Sequence, residues 1–366
     1  MMWVASIFIV LYCVWLSVML VTWLTMISAD RTCEHPHDSP SLFYSIVIPF
    51  RNEAENLKKL IDSVHANAFP KEAYEIILVN DHSTDNSWQV AGELEDVRLL
   101  RLEDKYGKKN ALAHGISEAK GDVIVTTDAD CEVSEKWLAS IRYYFEEKSA
   151  KLVSGAVTFK GEINLFHHMQ TIEFASLVGV GAATIHMKIP GMCNGANLAF
   201  DRQVFHEVGG YMDNDHLASG DDEFLLHKIS AKYPERIFFN TARRSWVKTK
   251  PLNTIAEFAQ QRKRWASKWK WYDNLRNSLL AAFIGLVNLS VLIALFYAVY
   301  GEEWAWFLLL PKVVLEGIFL GSVLRFVDKY LHLVYFSVLQ VIYPFYVVYF
   351  AAISNISGYT WKGRRY

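Results

Sequence analysis

The sequence contains few cysteines and no excess of positive charge. Its formal net charge is −2 and its pI is ≈ 6.6. Nucleic-acid binding needs a concentrated positive face, so these values argue against nucleic acid as a partner of the whole chain. The four cysteines match neither the spacing of a metal site nor a disulfide framework, which fits a reducing compartment. They are Cys13, Cys33, Cys131 and Cys193.

Charge is absent altogether from the first 28 residues of the chain. Met1–Ser28 is apolar and long enough to cross a bilayer. A cleaved signal peptide is the alternative, but its apolar region is usually about 7–15 residues long and follows a Lys or Arg, which this segment lacks. Residues 1–28 are therefore predicted to form an uncleaved transmembrane anchor.

The whole chain is 52% hydrophobic. Three further apolar segments follow its polar middle. Leu279–Tyr300, Trp304–Val323 and Leu331–Ile353 carry aromatic residues near their ends, as membrane helices do. In the second segment, Lys312 and Glu316 are four residues apart and should neutralise each other inside a helix bundle. Residues 279–354 are therefore predicted to be a C-terminal transmembrane region, followed by a basic tail over 355–366.

A belt of basic residues precedes the first C-terminal apolar segment. Because positive charge concentrates on the cytoplasmic side of membranes, the belt predicts an integral membrane protein with Ala29–Ser278 in the cytoplasm. This segment contains the polar domain (29–253), and the membrane is expected to be a bacterial inner membrane. Four full spans place both termini outside the cytoplasm, whereas the basic tail favours a cytoplasmic end. A re-entrant Leu331–Ile353, which contains Pro344, would reconcile the two. The belt comprises Arg243, Arg244, Lys248, Lys250, Arg262, Lys263, Arg264, Lys268, Lys270 and Arg276.

Apolar strand-like runs alternate with helical segments such as Asn56–Ala66 and Lys108–Ala119 in the polar domain. This alternation predicts an α/β fold with a mostly parallel sheet. Ligands of such sheets bind beyond the carboxyl ends of the strands. The predicted strands are Ser45–Pro49, Ile76–Asn80, Val97–Leu102 and Val123–Thr127.

Two carboxylates, Asp128 and Asp130, follow the run Val123–Thr127. Strand side chains alternate between the two faces, so residues i and i+2 point the same way, and the two carboxylates are expected to converge on one ligand. Hard oxygen ligands in small number suit Mg²⁺ or Mn²⁺ together with the phosphates of a substrate. The alternative is a solvated turn. The pattern favours a metal whose partner is a nucleotide diphosphate.

Polar residues also follow the other predicted strands. Asp81 offers an acceptor for the N–H of a uracil ring, whereas Ser83 and Asp85 are suited to capping the following helix. Lys108 and Lys109 open a helix, so free backbone N–H groups and two ammonium groups are available to an anionic diphosphate. The alternative for these lysines is a solvated pair.

Two later motifs complete the set. Asp221 and Asp222 begin a helix, where acids often only complement the helix dipole, but a carboxylate with like-charged neighbours is also suited to act as a general base. Gln261–Trp265 lies in Thr254–Tyr272, within a segment (254–278) predicted to be an amphipathic helix on the membrane surface. Generic membrane adhesion is the alternative for this helix.

Taken in order, these motifs resemble the series found in membrane-bound family 2 glycosyltransferases. The resemblance covers Ser45 to Trp265 and implies a GT-A fold, a nucleotide-sugar donor, a divalent metal (Mg²⁺ or Mn²⁺) and inversion at the anomeric carbon. The matching residues are Ile48-Pro49, Asn52-Glu53, Asn80-Asp81, Ser83, Asp85, Asp128-Ala129-Asp130, Gly220-Asp221-Asp222 and Gln261-x-x-Arg264-Trp265.

Carried over by position, the resemblance implies a role for each motif residue. Asp222 would be the catalytic base. The family often has Glu-Asp where this chain has Asp221-Asp222, so Asp221 stays an alternative base. Donor binding would involve Pro49, Glu53, Asp81, Lys108, Lys109 and Asp128, metal binding Asp128 and Asp130, and the acceptor or diphosphate side Asp221, Gln261, Arg264 and Trp265.

The acceptor is the least constrained part of the interpretation. Few apolar segments and an active site beside the bilayer favour a membrane lipid, as in the ceramide glucosyltransferase-like and polyprenyl-phosphate branches of the family. The tail Trp361–Tyr366 resembles the end of ceramide glucosyltransferase-like enzymes. A glycan acceptor in a processive polysaccharide synthase is the first alternative, although a polymer channel needs more helices. A non-catalytic sugar-nucleotide sensor is the second, and the intact acidic motifs argue against it.

Overall fold

The computed structural model describes residues 2–29, 39–212, 220–243, 245–267, 275–353, 360–361 and 364–365. The chain divides into two compact units. A helical unit comprises Met1–Leu24, Glu162–Val180 and Pro251–Tyr366, and a sheet unit comprises Thr25–Gly161 and Gly181–Lys250. The apolar pattern of the sequence did not predict that Glu162–Val180 groups with the terminal apolar segments.

The sheet unit is built on a mostly parallel sheet, as predicted. Its strands are β1 (Tyr44–Phe50), β2 (Tyr74–Asn80), β3 (Val97–Arg101), β4 (Val123–Thr126), β5 (Leu152–Gly155), β7 (Leu198–Asp201) and β8 (Ile237–Asn240). Their order in the sheet is β3-β2-β1-β4-β7-β5-β8. Only β7 runs antiparallel to its neighbours among the described pairings of this sheet.

The central strands are buried along their whole length because helices cover the sheet. Every residue of β1 and β4 is buried. A Cβ atom at Gly115 would lie 2.5 Å from Cγ1 of Val47, so a glycine at this position lets a helix approach β1 closely. The helices of this unit are α2 (Ala54–His65), α3 (Ser87–Gly92), α4 (Lys108–Ser117), α5 (Trp137–Glu147), α7 (Arg202–Glu207) and α8 (Asp221–Lys232). A separate parallel pair consists of β6 (Val157–Phe159) and β9 (Val247–Thr249).

The helical unit contains the apolar segments predicted from the sequence. In the part of the chain that the structure describes, four helical stretches are long and apolar enough to cross a membrane: Met2–Ser28, Ser278–Val299, Glu303–Phe326 and Tyr330–Ala352. The last begins as a 3-10 helix over Tyr330–Tyr335. The helices are α1 (Met2–Ala29), α6 (Leu165–His186), α9 (Ile255–Ser267), α10 (Leu275–Val299), α11 (Glu303–Phe326) and α12 (Phe336–Ile353); α1 and α6 each continue into the sheet unit.

The predicted neutralisation of Lys312 by Glu316 is confirmed. Their charged groups lie 2.9 Å apart on α11. The Gln340 amide of α12 accepts from Lys312 and donates to Glu316, and the Tyr12 hydroxyl of α1 also donates to Glu316. Because polar groups among apolar helices must be paired, this cluster fixes the mutual packing of three helices.

Parts of some predicted segments lie outside the described residues. The helix predicted over Thr254–Tyr272 is observed as α9, and residues 268–274 are not described. Of the basic tail, the structure describes two short antiparallel strands, Thr360–Trp361 (β10) and Arg364–Arg365 (β11). Outside the described residues also lie Cys33, Arg244, Lys268, Lys270 and Lys362.

Candidate active site

The two carboxylates of the D-x-D motif lie in a turn just beyond β4. The strand ends at Thr126, and the Cys131 N–H donates to the Asp128 carbonyl over 3.1 Å, which closes the turn. The strand-alternation argument therefore does not apply to Asp128 and Asp130. The predicted position at the strand exit is correct, but a turn determines the direction of the two side chains.

Lys108, the first residue of α4, forms an ion pair with Asp128. Its ammonium nitrogen lies 2.5 Å from the Asp128 carboxylate. Burial alone would lower the pKa of Lys108, but the negative charges of Asp128, Asp221 and Asp222 raise it above its ordinary value. Residues that are more than 90 positions apart in sequence therefore share one electrostatic site. Lys109, the residue after Lys108, is buried.

Asp222 is held at the start of α8 by backbone N–H groups. Gly195 donates to one carboxylate oxygen over 2.9 Å, and Glu223 donates to the other over 2.9 Å. The carbonyl of Gly195 accepts from the Thr126 hydroxyl at the end of β4, over 2.7 Å. Gly195 therefore connects the exit of β4, where the D-x-D motif begins, to the predicted base.

Tyr211 and Cys131 belong to the same electrostatic environment. Burial raises the pKa of Tyr211, and the charges of Asp221 and Asp222 raise it further. Burial likewise raises the pKa of Cys131, with additional contributions from Asp130 and Asp128. Both groups therefore stay protonated and uncharged near neutral pH. No sequence pattern singled out Tyr211.

Asp81, at the exit of β2, forms a hydrogen bond with the residue that precedes α4. It is buried, and its Oδ1 accepts from the Gly107 N–H over 3.0 Å. The same oxygen lies 3.3 Å from Nδ1 of His82, whose ring packs on Tyr106. Gly107 has a φ of 105°, which favours glycine, so the contact fixes the turn that delivers Lys108.

The exit of β1 is joined to the exit of β2 by side-chain hydrogen bonds. The Thr84 N–H donates to the Asn52 side chain over 2.8 Å, and the Asn52 N–H donates to the Ser83 hydroxyl over 3.1 Å. Ser83 therefore bridges two loops instead of capping a helix. Asp85 does bind the start of α3, where it accepts from the backbone and the hydroxyl of Ser87.

Pro49 and Glu53 are also placed by these loops. Pro49 lies in β1 beyond Val47, the last residue that pairs with β4, so its missing N–H leaves no gap on that side. The N–H of Glu53 donates to the Ser87 hydroxyl over 2.7 Å. The Glu53 carboxylate accepts from Asn56 over 2.6 Å.

The carboxylate side chains just beyond β4 are suitable ligands for Mg²⁺ or Mn²⁺. Asp128 and Asp130 are both partly exposed carboxylates, and Asp130 also accepts from the Thr249 hydroxyl over 3.3 Å. Among the described residues, no group of three or more His, Cys, Asp or Glu side chains forms a complete metal cage. Two carboxylates completed by phosphate oxygens are the usual Mg²⁺ arrangement.

The Gln261, Arg264 and Trp265 motif lies on α9 and belongs to the helical unit. The side-chain amide of Gln261 accepts from Arg262, and the Trp265 ring lies 6.3 Å from that of Phe174. Lys108, Asp128, Asp221 and Asp222 all lie in the sheet unit. That the two groups line one cavity remains a prediction.

Residues 45–209 of the chain match the family model described as Glycosyl transferase family 2. The matched region contains the D-x-D motif and Lys108, and it ends before Asp221.

Several curated proteins are similar to parts of this chain. Glycosyltransferase AglE of Haloferax volcanii is 28% identical over 192 residues, which cover 49% of this chain and 59% of that protein. Poly-beta-1,6-N-acetyl-D-glucosamine synthase of Staphylococcus epidermidis is 28% identical over 232 residues, which cover 61% of this chain and 53% of that protein. Dolichol-phosphate mannosyltransferase of Pyrococcus furiosus is 40% identical over 91 residues, which cover 24% of this chain and 26% of that protein. The chain thus spans little more than half the length of the first two relatives.

A solved structure has a similar fold along most of the chain. The mannosyltransferase PcManGT of Pyrobaculum calidifontis, in complex with GDP-Man and Mn²⁺, superposes with a TM-score of 0.58 at 17% identity. The match covers 92% of this chain and 99% of that one. The likeness shows that the predicted GT-A-like fold is correct.

Proposed function

We propose, from the premise that this chain carries a glycosyltransferase family 2 domain, that it transfers a sugar from a nucleotide diphosphate sugar to a membrane-associated lipid. The reaction proposed is metal-dependent and inverts the anomeric carbon. The observation that supports it most is the meeting of Lys108, Asp128, Asp221 and Asp222 in one electrostatic site at the exit of β4.

Asp222 is the proposed base. It takes the proton from the acceptor hydroxyl while the acceptor oxygen bonds to the anomeric carbon and the bond from that carbon to the diphosphate breaks. Backbone N–H groups at both carboxylate oxygens hold its orientation, so little reorganisation is needed when the acceptor arrives. The nucleoside diphosphate leaves with the bonding electrons.

Negative charge grows on the leaving diphosphate, and positive groups are needed to stabilise it. Lys108 and the backbone N–H groups at the start of α4 supply such groups. Asp128 and Asp130 are the proposed ligands of Mg²⁺ or Mn²⁺, which would neutralise charge on the phosphate oxygens. Asp81, which follows β2, and Glu53, which precedes α2, are the proposed nucleobase-binding residues, and UDP-sugars are the donors proposed.

A lipid acceptor is favoured by two observations. Four helical stretches among the described residues are apolar and long enough to span a membrane. We propose that this membrane is a bacterial inner membrane, with the sheet unit on its cytoplasmic side. The relative with the highest local identity reported above, 40%, is named a dolichol-phosphate mannosyltransferase, and dolichol phosphate is a lipid. The second candidate is polysaccharide synthesis, favoured by the 232-residue match to a poly-beta-1,6-N-acetyl-D-glucosamine synthase.

A donor panel tests this proposal. Purified protein in detergent is incubated with radiolabelled nucleotide sugars, membrane lipid extract and Mn²⁺ or Mg²⁺, and the products are partitioned. We expect label from one donor in the organic phase. Label only in a polymer that remains in the aqueous phase would support the synthase instead. No transfer or hydrolysis of any donor would contradict both and favour a sensor.

A further inference from the structure

Arg262 occupies a variable position of the Q-x-x-R-W pattern but is among its most buried residues. Its side chain is 6% exposed, although it carries a permanent charge. A buried guanidinium is costly unless each face and each N–H group is engaged. The surroundings of Arg262 therefore need an explanation beyond membrane adhesion, which would require exposed basic side chains.

Glu173 of α6 and Tyr346 of α12 hold the guanidinium. Its Nη2 lies 2.5 Å from one Glu173 oxygen, and its Nε lies 3.1 Å from the other. The Tyr346 hydroxyl accepts from Arg262 over 2.7 Å and donates to Glu173 over 2.8 Å. This two-point pairing is the geometry that guanidinium and carboxylate favour, and it fixes the plane of the Arg262 side chain.

Two aromatic rings of α9 enclose the same guanidinium. The Phe258 ring lies 4.2 Å from its central carbon and the Trp265 ring 4.3 Å. Phe258, Arg262 and Trp265 are four and three residues apart, so they share one face of the helix. Trp265, one of the predicted acceptor-side residues, therefore packs directly on the anchored cation.

The third nitrogen of the guanidinium, Nη1, orients the side chain of Gln261. Nη1 of Arg262 donates to the Gln261 side-chain oxygen over 2.5 Å. Since arginine has no acceptor, the oxygen of the amide must face Arg262, and the amide NH₂ group points elsewhere. Gln261 is thereby prepared to donate to an oxygen atom of a ligand, such as a sugar hydroxyl or a phosphate.

We infer that Arg262, fixed by Glu173 and Tyr346, is a positioning residue that orients the Gln261 amide and the Trp265 ring toward oxygen atoms of the acceptor. The inference rests on the proposed function for the use of those two residues. The alternative for the same contacts is that they only fasten three helices together. The two differ because an anchor for stability need not change how a ligand is bound or turned over.

The test uses full-length protein in detergent with 5-fluorotryptophan, and the Trp265 fluorine resonance is assigned from its loss in Trp265→Phe. Glu173→Gln keeps the shape of the side chain but removes its charge, and Arg262→Lys keeps the charge but removes the planar fork. Lys263→Gln on the same helix is the control. The readouts are the Trp265 resonance, calorimetric donor binding, and kcat and KM for the lipid acceptor.

We expect both variants to shift the Trp265 resonance and to lower kcat/KM for the acceptor by about 10–100-fold, because small misplacements of ligand-orienting groups have effects of that size. Donor affinity should change less than threefold, since Asp81 and Asp128 are untouched, and Lys263→Gln should match the wild type. Tyr346→Phe, which keeps the ion pair, should give an intermediate loss and guards against unfolding of the charge variants.

An unchanged resonance in both variants would overturn the inference. A shifted resonance with wild-type transfer would overturn it as well, because Arg262 would then serve stability alone. If the wild-type protein transfers no sugar, the proposed function fails separately, and the resonance alone decides whether Arg262 orders Trp265.

Discussion

At the scale of single residues, the charge around Lys108 explains why a divalent ion is expected. Asp128, Asp221 and Asp222 all act on its ammonium group, so carboxylates outnumber the cation that they surround. Asp130 adds its charge at Cys131, in the same turn as Asp128. These carboxylates would repel a diphosphate, and a bound divalent cation would offset that repulsion.

Asp130→Ala should therefore abolish metal-dependent donor binding. One of two carboxylate ligands is lost, and the negative charge of Asp128 alone holds a divalent ion weakly. Calorimetry of UDP-sugar binding with and without Mn²⁺ measures the effect. Glu132→Gln, two residues further along and paired with Lys160, is the matched control. Wild-type donor affinity of Asp130→Ala in Mn²⁺ would show that Asp130 is not a ligand.

For the candidate site residues, the sequence predicted positions along the chain better than it predicted contacts. Lys108, Asp128 and Asp222 were identified because each follows a strand or opens a helix. Their partners were not, because the contacts join distant segments, such as Thr126 and Gly195, which are 69 positions apart. The polar and small residues Asn194–Asn197 were visible in the sequence, but nothing in their pattern indicated that Gly195 would bind Asp222.

At the scale of elements, the strands on one side of the sheet were predicted and those on the other side were not. β1 to β4 alternate with helices and pair in parallel, so local pattern suffices. β7 and β5 are four residues each, and β7 enters antiparallel between β4 and β5. Short strands that pair with remote segments leave little local signal.

The segment leading into α6 depends on an ion pair with Lys329, which follows α11. The ammonium of Lys329 lies 2.8 Å and 2.9 Å from the two oxygens of Glu162. Burial opposes the charge of Glu162, but the hydrogen bond and attraction of Lys329 lower its pKa below the ordinary value. A lowered pKa means that the pair stabilises the folded state above the unfolded pKa, and this contribution is lost as pH falls through the folded pKa.

Glu162→Gln should lower Tm at pH 7 by about 5 °C, taking about 2 kcal/mol for a lost charged hydrogen bond. The difference from wild type should persist down to about pH 4.3, the ordinary glutamate pKa, and shrink below it as Glu162 becomes protonated. Thermal unfolding in detergent across pH measures this. Glu147→Gln, exposed at the end of α5, should leave Tm unchanged at every pH. A Tm difference independent of pH would contradict the ion-pair explanation.

At the scale of the whole molecule, composition predicted the division between apolar helices and a polar α/β domain. The four candidate spans agree with the predicted segments to within a few residues. The assignment of Glu162–Val180 to the helical unit was not predicted, because α6 has no apolar run comparable to those of the terminal helices. Its place depends on partners remote in sequence, such as Arg262 and Lys329.

The central claim is that Asp222 removes the acceptor proton in a sugar transfer supported by Lys108, Asp128 and a divalent metal. The most direct test is to measure transfer and donor binding in Asp222→Asn, with Asp221→Asn beside it. A general base contributes about 10²–10⁴-fold in rate, so Asp222→Asn should lose that factor in kcat while UDP-sugar affinity stays near the wild-type value. Turnover by Asp222→Asn at the wild-type rate would contradict the account.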